Sequence, residues 1–501
     1  MWQDGNEAVR WFHWRVCGVS ETGYEQCPTA NPAYIRNIGF DQSQKPRSHS
    51  CAAFSGPMTM LDHLPAGEEP GRVKARFRRR TVVVAGMASV MTAFVVIVAV
   101  NVASGEHKIS KRVSSPFGVA DPQFARSMNT LFGPPLVAGN HARSLYNGHQ
   151  IFGAMLEAIR GAQQSVTFET YIYWSGSVGQ RFTEALIDRA RSGVKVHLII
   201  DAVGSGKADA AQLQAMRAAG AEVEKYQPIH WYSLNRINNR THRKLLIVDG
   251  RIGFTGGVGI ADKWDGDAED PEHWRDTHFR VVGPVVAQMQ ATFVEHWLAT
   301  RGDLLQGPRY FPELVPRGDA AAQMVRSSFD DGTESVRLLY LLSIASARRS
   351  VRIANSYFVP DDLSVRTLVE ARARGVDVQI IVPGAEIDSE VTRAASRRKW
   401  TPLLEAGVAI YEFQPTMFHC KVMVVDDLWV SVGSTNFDTR SFRLNAEANL
   451  NAIDPTLARH ERDAFEADRL RSRRIALDQW RHRPRLDRLG DWFAGLLDSQ
   501  L

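Results

Sequence analysis

Cysteine is scarce in this chain, with 4 residues among 501. Three of them, Cys17, Cys27 and Cys51, lie near the N-terminus, where their odd number gives no disulfide framework and their spacing matches no metal-binding motif. No basic run interleaved with aromatic residues occurs in the later part of the chain, so no nucleic acid partner is expected. The net charge of +5 is mild, and by itself it fits an anionic membrane surface and a nucleic acid equally well.

Charged residues are absent from one long apolar run, Thr81 to Ala103. Its length suits the roughly 20 residues that cross a bilayer, so we predict a single transmembrane anchor over 81–103. A cleaved signal peptide is the alternative, but the run is longer than a typical signal core and Ala103-Ser104-Gly105 is only a weak cleavage site.

Basic residues are more numerous before the apolar run than after it. They are Arg72, Lys74, Arg76, Arg78, Arg79 and Arg80 on one side, and Lys108, Lys111 and Arg112 on the other. The positive-inside rule therefore places the N-terminus in the cytoplasm and the rest of the chain outside it, although the reverse orientation stays open because both flanks are basic. Residues 1–72 have no convincing periodicity, and we predict a disordered tail or a misassigned start, with Met58 or Met60 as other starting points.

The string H-x-K-x-x-x-x-D occurs twice, each time running into a glycine-containing step. The first copy is His242, Lys244 and Asp249; the second is His419, Lys421 and Asp426. The apolar run between Lys and Asp reads as a short buried strand, so His and Lys share one face of it. A neutral imidazole can attack phosphorus while an ammonium supplies positive charge, and two histidines supply both the nucleophile and the proton donor of a double displacement.

The sequence around the two motifs is also duplicated. ALIDRARSGVKVHLIIDA parallels TLVEARARGVDVQIIVPG, and AMRAAGAEVEKYQP parallels PLLEAGVAIYEFQP. Each half alternates helices and strands before the motif strand, which predicts an α/β layer fold with a parallel or mixed sheet. We expect a linker over 104–144, a first domain over 145–315, a second over 330–456, and a basic helical segment over 457–501. That last segment is predicted to be a solvated cap on the second half, with a membrane-bound amphipathic helix as the alternative.

The chain resembles the phospholipase D superfamily and, within it, the bacterial cardiolipin synthases. Besides the two motifs, the resemblance includes WRDTHFRVVGP, SYFVPDD and, most specifically, GSTNFDTRSFRLNAEANL. It implies two tandem phospholipase D-like α/β domains related by a pseudo-two-fold axis and preceded by the transmembrane helix. Together with the predicted anchor and its basic flanks, it gives a single-pass protein of the bacterial inner membrane, whose catalytic domains are expected outside the cytoplasm, in the periplasm if the host is Gram-negative.

The resemblance assigns roles to individual residues. His242 is the expected nucleophile, and His419 the acid for the leaving alcohol and the base for the incoming one. Asp276 and Glu447 match the carboxylates that orient the histidines. Asp249 and Asp426 are expected to brace the motif loops. The phosphoryl group is expected to be held by a set drawn from both halves: Lys244, Lys421, Ser434, Asn436 and Gly257. No metal and no cofactor are required.

One departure from the family pattern concerns the first motif, which ends GGVG. Gly257 and Gly259 stand where the second half has Ser434 and Asn436. Backbone N–H groups of a glycine-rich turn could replace the missing side chains. The symmetry of the phosphate site is therefore open.

The resemblance implies a phosphatidyltransferase that converts two molecules of phosphatidylglycerol into cardiolipin and glycerol at the bilayer. Phosphatidylethanolamine as donor stays open. The alternatives are a phospholipase D that releases phosphatidic acid, a nuclease, and a non-catalytic scaffold, against which both complete motifs argue. The insert IHWYSLNRINN, which includes Trp231 and Tyr232, is expected either to shape the alcohol pocket or to be a plain surface loop. The sequence does not indicate an oligomeric state.

Overall fold

The structure is a computed structural model that describes residues 80–89, 91–92, 109, 111–228, 239–328, 334–484, 490–491 and 494. From residue 111 onward its helices are α1 Pro122–Leu131, α2 Asn147–Arg160, α3 Ser177–Arg191, α4 Ala210–Ala218, α5 Val286–Arg301, α6 Ser335–Ala345, α7 Asp362–Ala373, α8 Glu390–Arg398, α9 Trp400–Glu405, α10 Thr439–Arg443, α11 Pro455–Leu470 and α12 Leu477–Arg481. A short 3₁₀ helix covers Asp262–Trp264.

The strands of the first half are β1 Val137–Tyr146, β2 Ser165–Thr170, β3 Lys195–Asp201, β4 Glu222–Tyr226, β5 Arg240–Thr241, β6 Leu245–Val248, β7 Ile252–Gly256 and β8 Thr277–Val282. Those of the second half are β9 Ala320–Ser327, β10 Ser350–Asn355, β11 Phe358–Val359, β12 Asp377–Pro383, β13 Ala409–Phe413, β14 Lys421–Val425, β15 Trp429–Gly433, β16 Phe437–Asp438, β17 Asn445–Ile453 and β18 Ser472–Arg474. The fold is therefore mixed α/β, as the sequence predicts.

Apart from β11 and β16, which pair with each other in a small separate sheet, the strands of the described residues form one large sheet whose order repeats about its middle. From one edge the order is β4-β3-β2-β6-β7-β8-β1, and from the other, inside β18, it is β13-β12-β10-β14-β15-β17-β9. In each half the three outer strands pair in parallel and the inner strands pair antiparallel. The two series meet where β1 pairs antiparallel with β9. Two copies of one unit related by a pseudo-two-fold axis have this arrangement.

Hydrophobic cores fill both faces of this sheet. On one face each half has its own core, and in the first half α2 contributes Ile151, Phe152 and Met155 from the apolar side that its helical periodicity creates. The second half has a matching core of its own. On the other face a single core spans both halves beneath α5 and α11, joining Trp297 to Phe465. Neither half is packed independently of the other.

Two predicted boundaries differ from the structure. The segment 104–144, predicted to be a linker, contains α1 and most of β1, one of the two central strands. The C-terminal segment, predicted to cap the second half, begins with α11, which also contacts the first half. Glu461 of α11 accepts a hydrogen bond from Ser144 of β1, and Asp468 forms an ion pair with Arg275.

The predicted anchor over 81–103 lies partly outside the described residues, at 90 and 93–103. Residues 80–89 and 91–92 are helical. Within the part of the chain that the structure describes, no helix has the length and apolar character needed to cross a membrane.

Candidate active site

The two motif histidines lie where the halves of the sheet exchange main-chain hydrogen bonds. The His242 N–H donates to the carbonyl oxygen of Ala446 at 2.9 Å, and the His419 N–H donates to that of Arg275 at 2.7 Å. β5, which ends just before His242, pairs in parallel with β17 of the second half. Each histidine is therefore positioned by a strand segment of the opposite half.

The residue after each of these carbonyl groups is a buried carboxylate that contacts the same histidine. The two carboxylate oxygens of Glu447 lie 2.9 and 3.0 Å from Nδ1 of His242. Oδ2 of Asp276 lies 2.7 Å from Nδ1 of His419. A carboxylate at Nδ1 keeps a proton on that nitrogen, so the lone pair of the neutral ring is on Nε2, where it can attack phosphorus or accept a proton.

Further donors fix the orientation of both carboxylates. Asp276 accepts the indole N–H of Trp264 and the main-chain N–H of Thr277, each at 2.8 Å. Glu447 accepts the hydroxyl hydrogen of Ser434. Both carboxylate side chains are 0% exposed, so these bonds lie in the low-dielectric interior, where a hydrogen bond is electrostatically stronger than in water.

The two motif lysines lie beside their histidines. Nζ of Lys244 donates to the His242 carbonyl oxygen at 2.8 Å and lies 5.6 Å from the centre of the Tyr171 ring. Nζ of Lys421 donates to the hydroxyl of Ser356 at 2.7 Å and lies 3.3 Å from both ring nitrogens of His419. Each imidazole therefore has an ammonium beside it, as phosphate binding requires.

Both histidines line one cleft, with a cavity of about 220 Å³. The polar and charged residues that share this cleft are Tyr171, Arg240, Lys244, Tyr357, Asp388, Asn436, Asp438, Arg440 and Asn445. Asn436 accepts the Ser356 hydroxyl hydrogen at 2.7 Å through its amide oxygen, which leaves the NH₂ group as a donor. The cleft thus combines two imidazoles with several cationic side chains and side-chain amide groups.

Burial sets the protonation of the site. It lowers the pKa of His242 to about 4 and the pKa of Lys244 to about 7. Burial, followed by repulsion from Lys421, also lowers the pKa of His419. Burial raises the pKa of Glu447, but the interactions with His242 and Lys244 and the hydrogen bond from Ser434 together outweigh it and hold the pKa of that carboxyl below its usual range. At neutral pH His242 is therefore an uncharged imidazole held by an ionised carboxylate.

The two motif aspartates brace loops and do not line the cleft. Asp249 accepts main-chain N–H groups of the segment that leads into β2, at Gln163, Gln164 and Ser165. Asp426 does the same for the segment before β10, at Arg348, Arg349 and Ser350. Both aspartates have positive φ, 52° and 55°, a conformation that Asp tolerates better than most residues.

Two of the predicted phosphate-binding residues face elsewhere. The hydroxyl of Ser434 is occupied by Glu447. The N–H of Gly257 donates to the Thr277 carbonyl oxygen at 3.2 Å, and a Cβ at this glycine would lie 2.2 Å from Asp276. Neither residue therefore faces the phosphate site as predicted. Ser434 holds the carboxylate of Glu447, and Gly257 makes room for that of Asp276. Gly259, two residues further along the chain, does line the cleft.

Several cleft residues were not singled out from the sequence. Trp264 and Trp274 flank His419, with ring centres 5.2 and 5.7 Å from the imidazole. Tyr357 lies in the quoted SYFVPDD string, which was the available signal, whereas nothing in the sequence marks Asp388. The insert with Trp231 and Tyr232 lies outside the described residues.

Two other features are separate from this cleft. A larger cavity of about 830 Å³ lies between β1 and α11, and neither motif histidine lines it. Among the described residues, Glu269, Asp270 and His273 form the one group whose ligand atoms are close enough to hold a metal ion. None of the three lines the cleft.

Comparison with known proteins identifies the family. The family described as "Cardiolipin synthase, PLD-like domain" matches residues 155–297 and 340–469. This chain belongs to that family. The two matched segments contain His242 with Asp276 and His419 with Glu447, so the resemblance predicted from the sequence is confirmed.

Individual relatives agree with the family match. Cardiolipin synthase A of Pseudomonas fluorescens is 35% identical over 377 residues, which cover 75% of this chain and 78% of the relative. Cardiolipin synthase 1 of Bacillus cereus is 34% identical over 379 residues, 74% of each chain. Among solved structures, a phosphatidylserine synthase from Haemophilus influenzae matches with a TM-score of 0.56 at 14% identity, covering 75% of this chain and 99% of that one. This likeness shows a shared fold.

Proposed function

We propose that this member of the cardiolipin synthase family is a phosphatidyltransferase that makes cardiolipin through a phosphohistidine. The observation that carries the proposal is the reciprocal pairing of His242 with Glu447 and of His419 with Asp276 around one cleft. The two imidazoles suit a double displacement, because a neutral His242 can attack phosphorus while a protonated His419 gives a proton to the leaving alcohol and regains it from the incoming one.

In the first step Nε2 of His242 attacks the phosphorus of phosphatidylglycerol. The phosphorus–oxygen bond to the glycerol headgroup breaks, and that oxygen takes the Nε2 proton of His419, which enters this step as an imidazolium whose Nδ1–H is held by Asp276. Glycerol leaves and the phosphatidyl group stays on His242. The depressed pKa of His242, about 4, supports this role because the attacking ring is neutral at physiological pH.

In the second step a hydroxyl of another phosphatidylglycerol gives its proton to His419 and attacks the phosphorus. The phosphorus–nitrogen bond breaks, which releases cardiolipin and restores a neutral His242. Water in place of the lipid alcohol would give phosphatidic acid from the same intermediate. Transfer and hydrolysis therefore differ only in which nucleophile reaches the phosphohistidine.

Charge in the cleft supports an anionic substrate. Lys244, Lys421 and Asn436 are the proposed ligands of the phosphoryl oxygens, since preformed donors stabilise the charge that develops on those oxygens in the transition state. Phosphatidylglycerol is the proposed donor and acceptor, and phosphatidylethanolamine a second donor to be tried.

We also propose that 81–103 anchors the protein in the inner membrane of a bacterium, with the two tandem catalytic domains on the periplasmic side. The uncharged run and the excess of basic residues before it support this topology. Single cysteines placed at exposed positions on α3 can test it with a membrane-impermeant thiol reagent on intact spheroplasts. Labelling supports the proposed side, and labelling only after lysis overturns it.

The function itself is tested by incubating purified full-length protein with labelled phosphatidylglycerol in mixed micelles and separating the lipid products. Cardiolipin together with free glycerol is the expected result. Phosphatidic acid as the only lipid product would make the protein a hydrolase, because water would then react with the phosphohistidine faster than the lipid alcohol does. His242→Ala protein is the control for contaminating activity.

A further inference from the structure

The two walls of the cleft differ at a pair of equivalent positions. The Ile260 N–H donates to the carbonyl oxygen of Ile172 at 2.9 Å, and in the other half the Phe437 N–H donates to that of Tyr357 at 3.0 Å. Ile172 and Tyr357 therefore occupy corresponding places, each next to the segment that follows the motif of its own half. Both residues line the cleft. The first half presents an aliphatic side chain where the second half presents a phenol.

Tyr357 is paired with a carboxylate that also lines the cleft. Its hydroxyl lies 2.7 Å from both carboxylate oxygens of Asp388. Burial, followed by the negative charge of Asp388, raises the pKa of Tyr357 well above its usual value, so the phenol keeps its proton and donates it. A carboxylate has about four lone-pair positions and the phenol takes one, which leaves acceptor capacity for other O–H groups. Asp388 itself is exposed to solvent.

The reaction places the alcohol on this wall. In an in-line displacement the attacking and leaving atoms are on opposite sides of the phosphorus. With phosphorus bonded to His242, the alcohol oxygen must therefore lie on the side of His419. His419, Tyr357 and Asp388 all belong to the second half and share the cleft.

The geometry points to Tyr357 and Asp388 as the alcohol subsite, which recognises a headgroup with two neighbouring hydroxyls. The inference rests on the proposed function and specifies its acceptor. A free glycerol headgroup can direct one hydroxyl at phosphorus and the next at the Asp388 carboxylate. A substrate hydroxyl that donates to an ionised carboxylate makes one of the stronger types of hydrogen bond.

An ammonium headgroup fits this subsite less well. Arg240, Lys244 and Arg440 line the same cleft, and Lys421 lies directly behind His419. These cations outnumber the cleft carboxylates Asp388 and Asp438, so a bound ammonium meets net repulsion, whereas an uncharged diol does not. The site therefore favours a polyol over an amine of similar size.

The test is a competition for the phosphatidyl group between two alcohols that differ by one hydroxyl. Full-length protein receives phosphatidylglycerol in mixed micelles with equal amounts of 1,2-propanediol and 1-propanol, and mass spectrometry gives the ratio of the two phosphatidyl products. Because both alcohols react with the same phosphatidyl-histidine intermediate, the product ratio does not depend on the total activity. The wild type is expected to favour the diol, and Asp388→Asn and Tyr357→Phe are each expected to lower the ratio about tenfold or more.

The exposed Asp188 of α3 provides a matched control, since Asp188→Asn removes the same charge away from the cleft and is expected to leave the ratio unchanged. An unchanged ratio in both cleft variants would overturn the assignment. So would a wild-type preference for 3-amino-1-propanol over the diol. Phosphatidic acid as the sole wild-type product with every alcohol would instead overturn the transferase function on which the subsite rests.

Discussion

Glu447 reaches Nδ1 of His242 across the middle of the sheet, at 2.9 and 3.0 Å, from 205 residues further along the chain. Asp276 makes the reciprocal contact to His419 at 2.7 Å. Each half therefore contributes a histidine to its own motif and an orienting carboxylate to the other one. Neither imidazole has its tautomer set until both halves have folded together.

Neutralising an orienting carboxylate should disable the histidine of the opposite motif. In Glu447→Gln the amide no longer favours a proton on Nδ1 of His242, so the lone pair is lost from the attacking nitrogen. We expect kcat to fall on the order of 10²–10⁴-fold with little change in KM. Steady-state kinetics in mixed micelles measure both. Glu466→Gln, on the partly exposed surface of α11, is the control, and an unchanged kcat in Glu447→Gln would contradict the assigned role.

Variants of the two histidines should be blocked at different steps of the reaction. His242→Ala cannot form the covalent intermediate. His419→Ala lacks the proton donor, yet it should still be phosphatidylated by a substrate whose leaving group needs no proton, such as a p-nitrophenyl phosphodiester lipid. We expect this variant to accumulate an acid-labile phosphatidyl adduct, detected by intact-protein mass spectrometry. Adduct on His242→Ala protein would mean that the roles of the two histidines are reversed.

Anion binding should weaken as the pH rises through about 7. Burial lowers the pKa of Lys244 to about 7 in the free protein, so the ammonium loses its charge above this pH unless an anion retains it. A phosphonate analogue whose charge is constant should therefore bind tightly below pH 7 and progressively more weakly above it, until the raised pKa of the complex is passed. Lys244→Arg should remove this pH dependence, because a guanidinium stays charged. Titration calorimetry between pH 6 and 9, as an approximate working range, measures the effect, and a flat wild-type profile would refute it.

Loss of one partner of the Arg275–Asp468 ion pair should strongly destabilise the protein. Both side chains are buried, with atoms 2.8 and 2.9 Å apart, and Arg275 also supplies the carbonyl group that holds the His419 main chain. Asp468→Ala leaves a buried charge without its partner, which typically costs about 3–5 kcal/mol. Chemical denaturation of the full chain measures the change. Asp463→Ala removes a carboxylate from an exposed pair on the same helix, and equal losses in the two variants would show that burial is not the cause.

Much of the fold was predictable because its signals are local. The matched strings around VKVHLII and VDVQIIV indicate buried strands between amphipathic helices, and they became β3 and β12. The central strand β1 was assigned to a linker because VAGNHARSLY has no alternating apolar pattern. It is held by side-chain bonds that only the tertiary structure provides, among them Asn140 accepting the N–H of Val285 and donating to the carbonyl oxygen of Ala320.

The site was predictable to the level of residue types. The motif histidines, the lysines and both carboxylates were all recognised from the sequence, but the histidine that each carboxylate serves depends on how the halves meet. Ser434 and Gly257 were predicted to bind phosphate from the family resemblance and, for Gly257, from the backbone N–H groups that a glycine-rich turn offers. In the folded chain their positions are determined by Glu447 and Asp276, which no local pattern reveals.

The antiparallel contact of β1 with β9 makes this chain the covalent counterpart of an isologous dimer, in which one surface patch meets its own copy across a two-fold axis. Two separate identical subunits would present the same groups on both sides of phosphorus, so neither imidazole could specialise. Joining the copies in one polypeptide keeps the partner at a high effective concentration and removes the requirement that they stay identical. Ile172 on one side and Tyr357 on the other are a product of that freedom: one wall can serve the phosphatidyl group while the other selects what receives it.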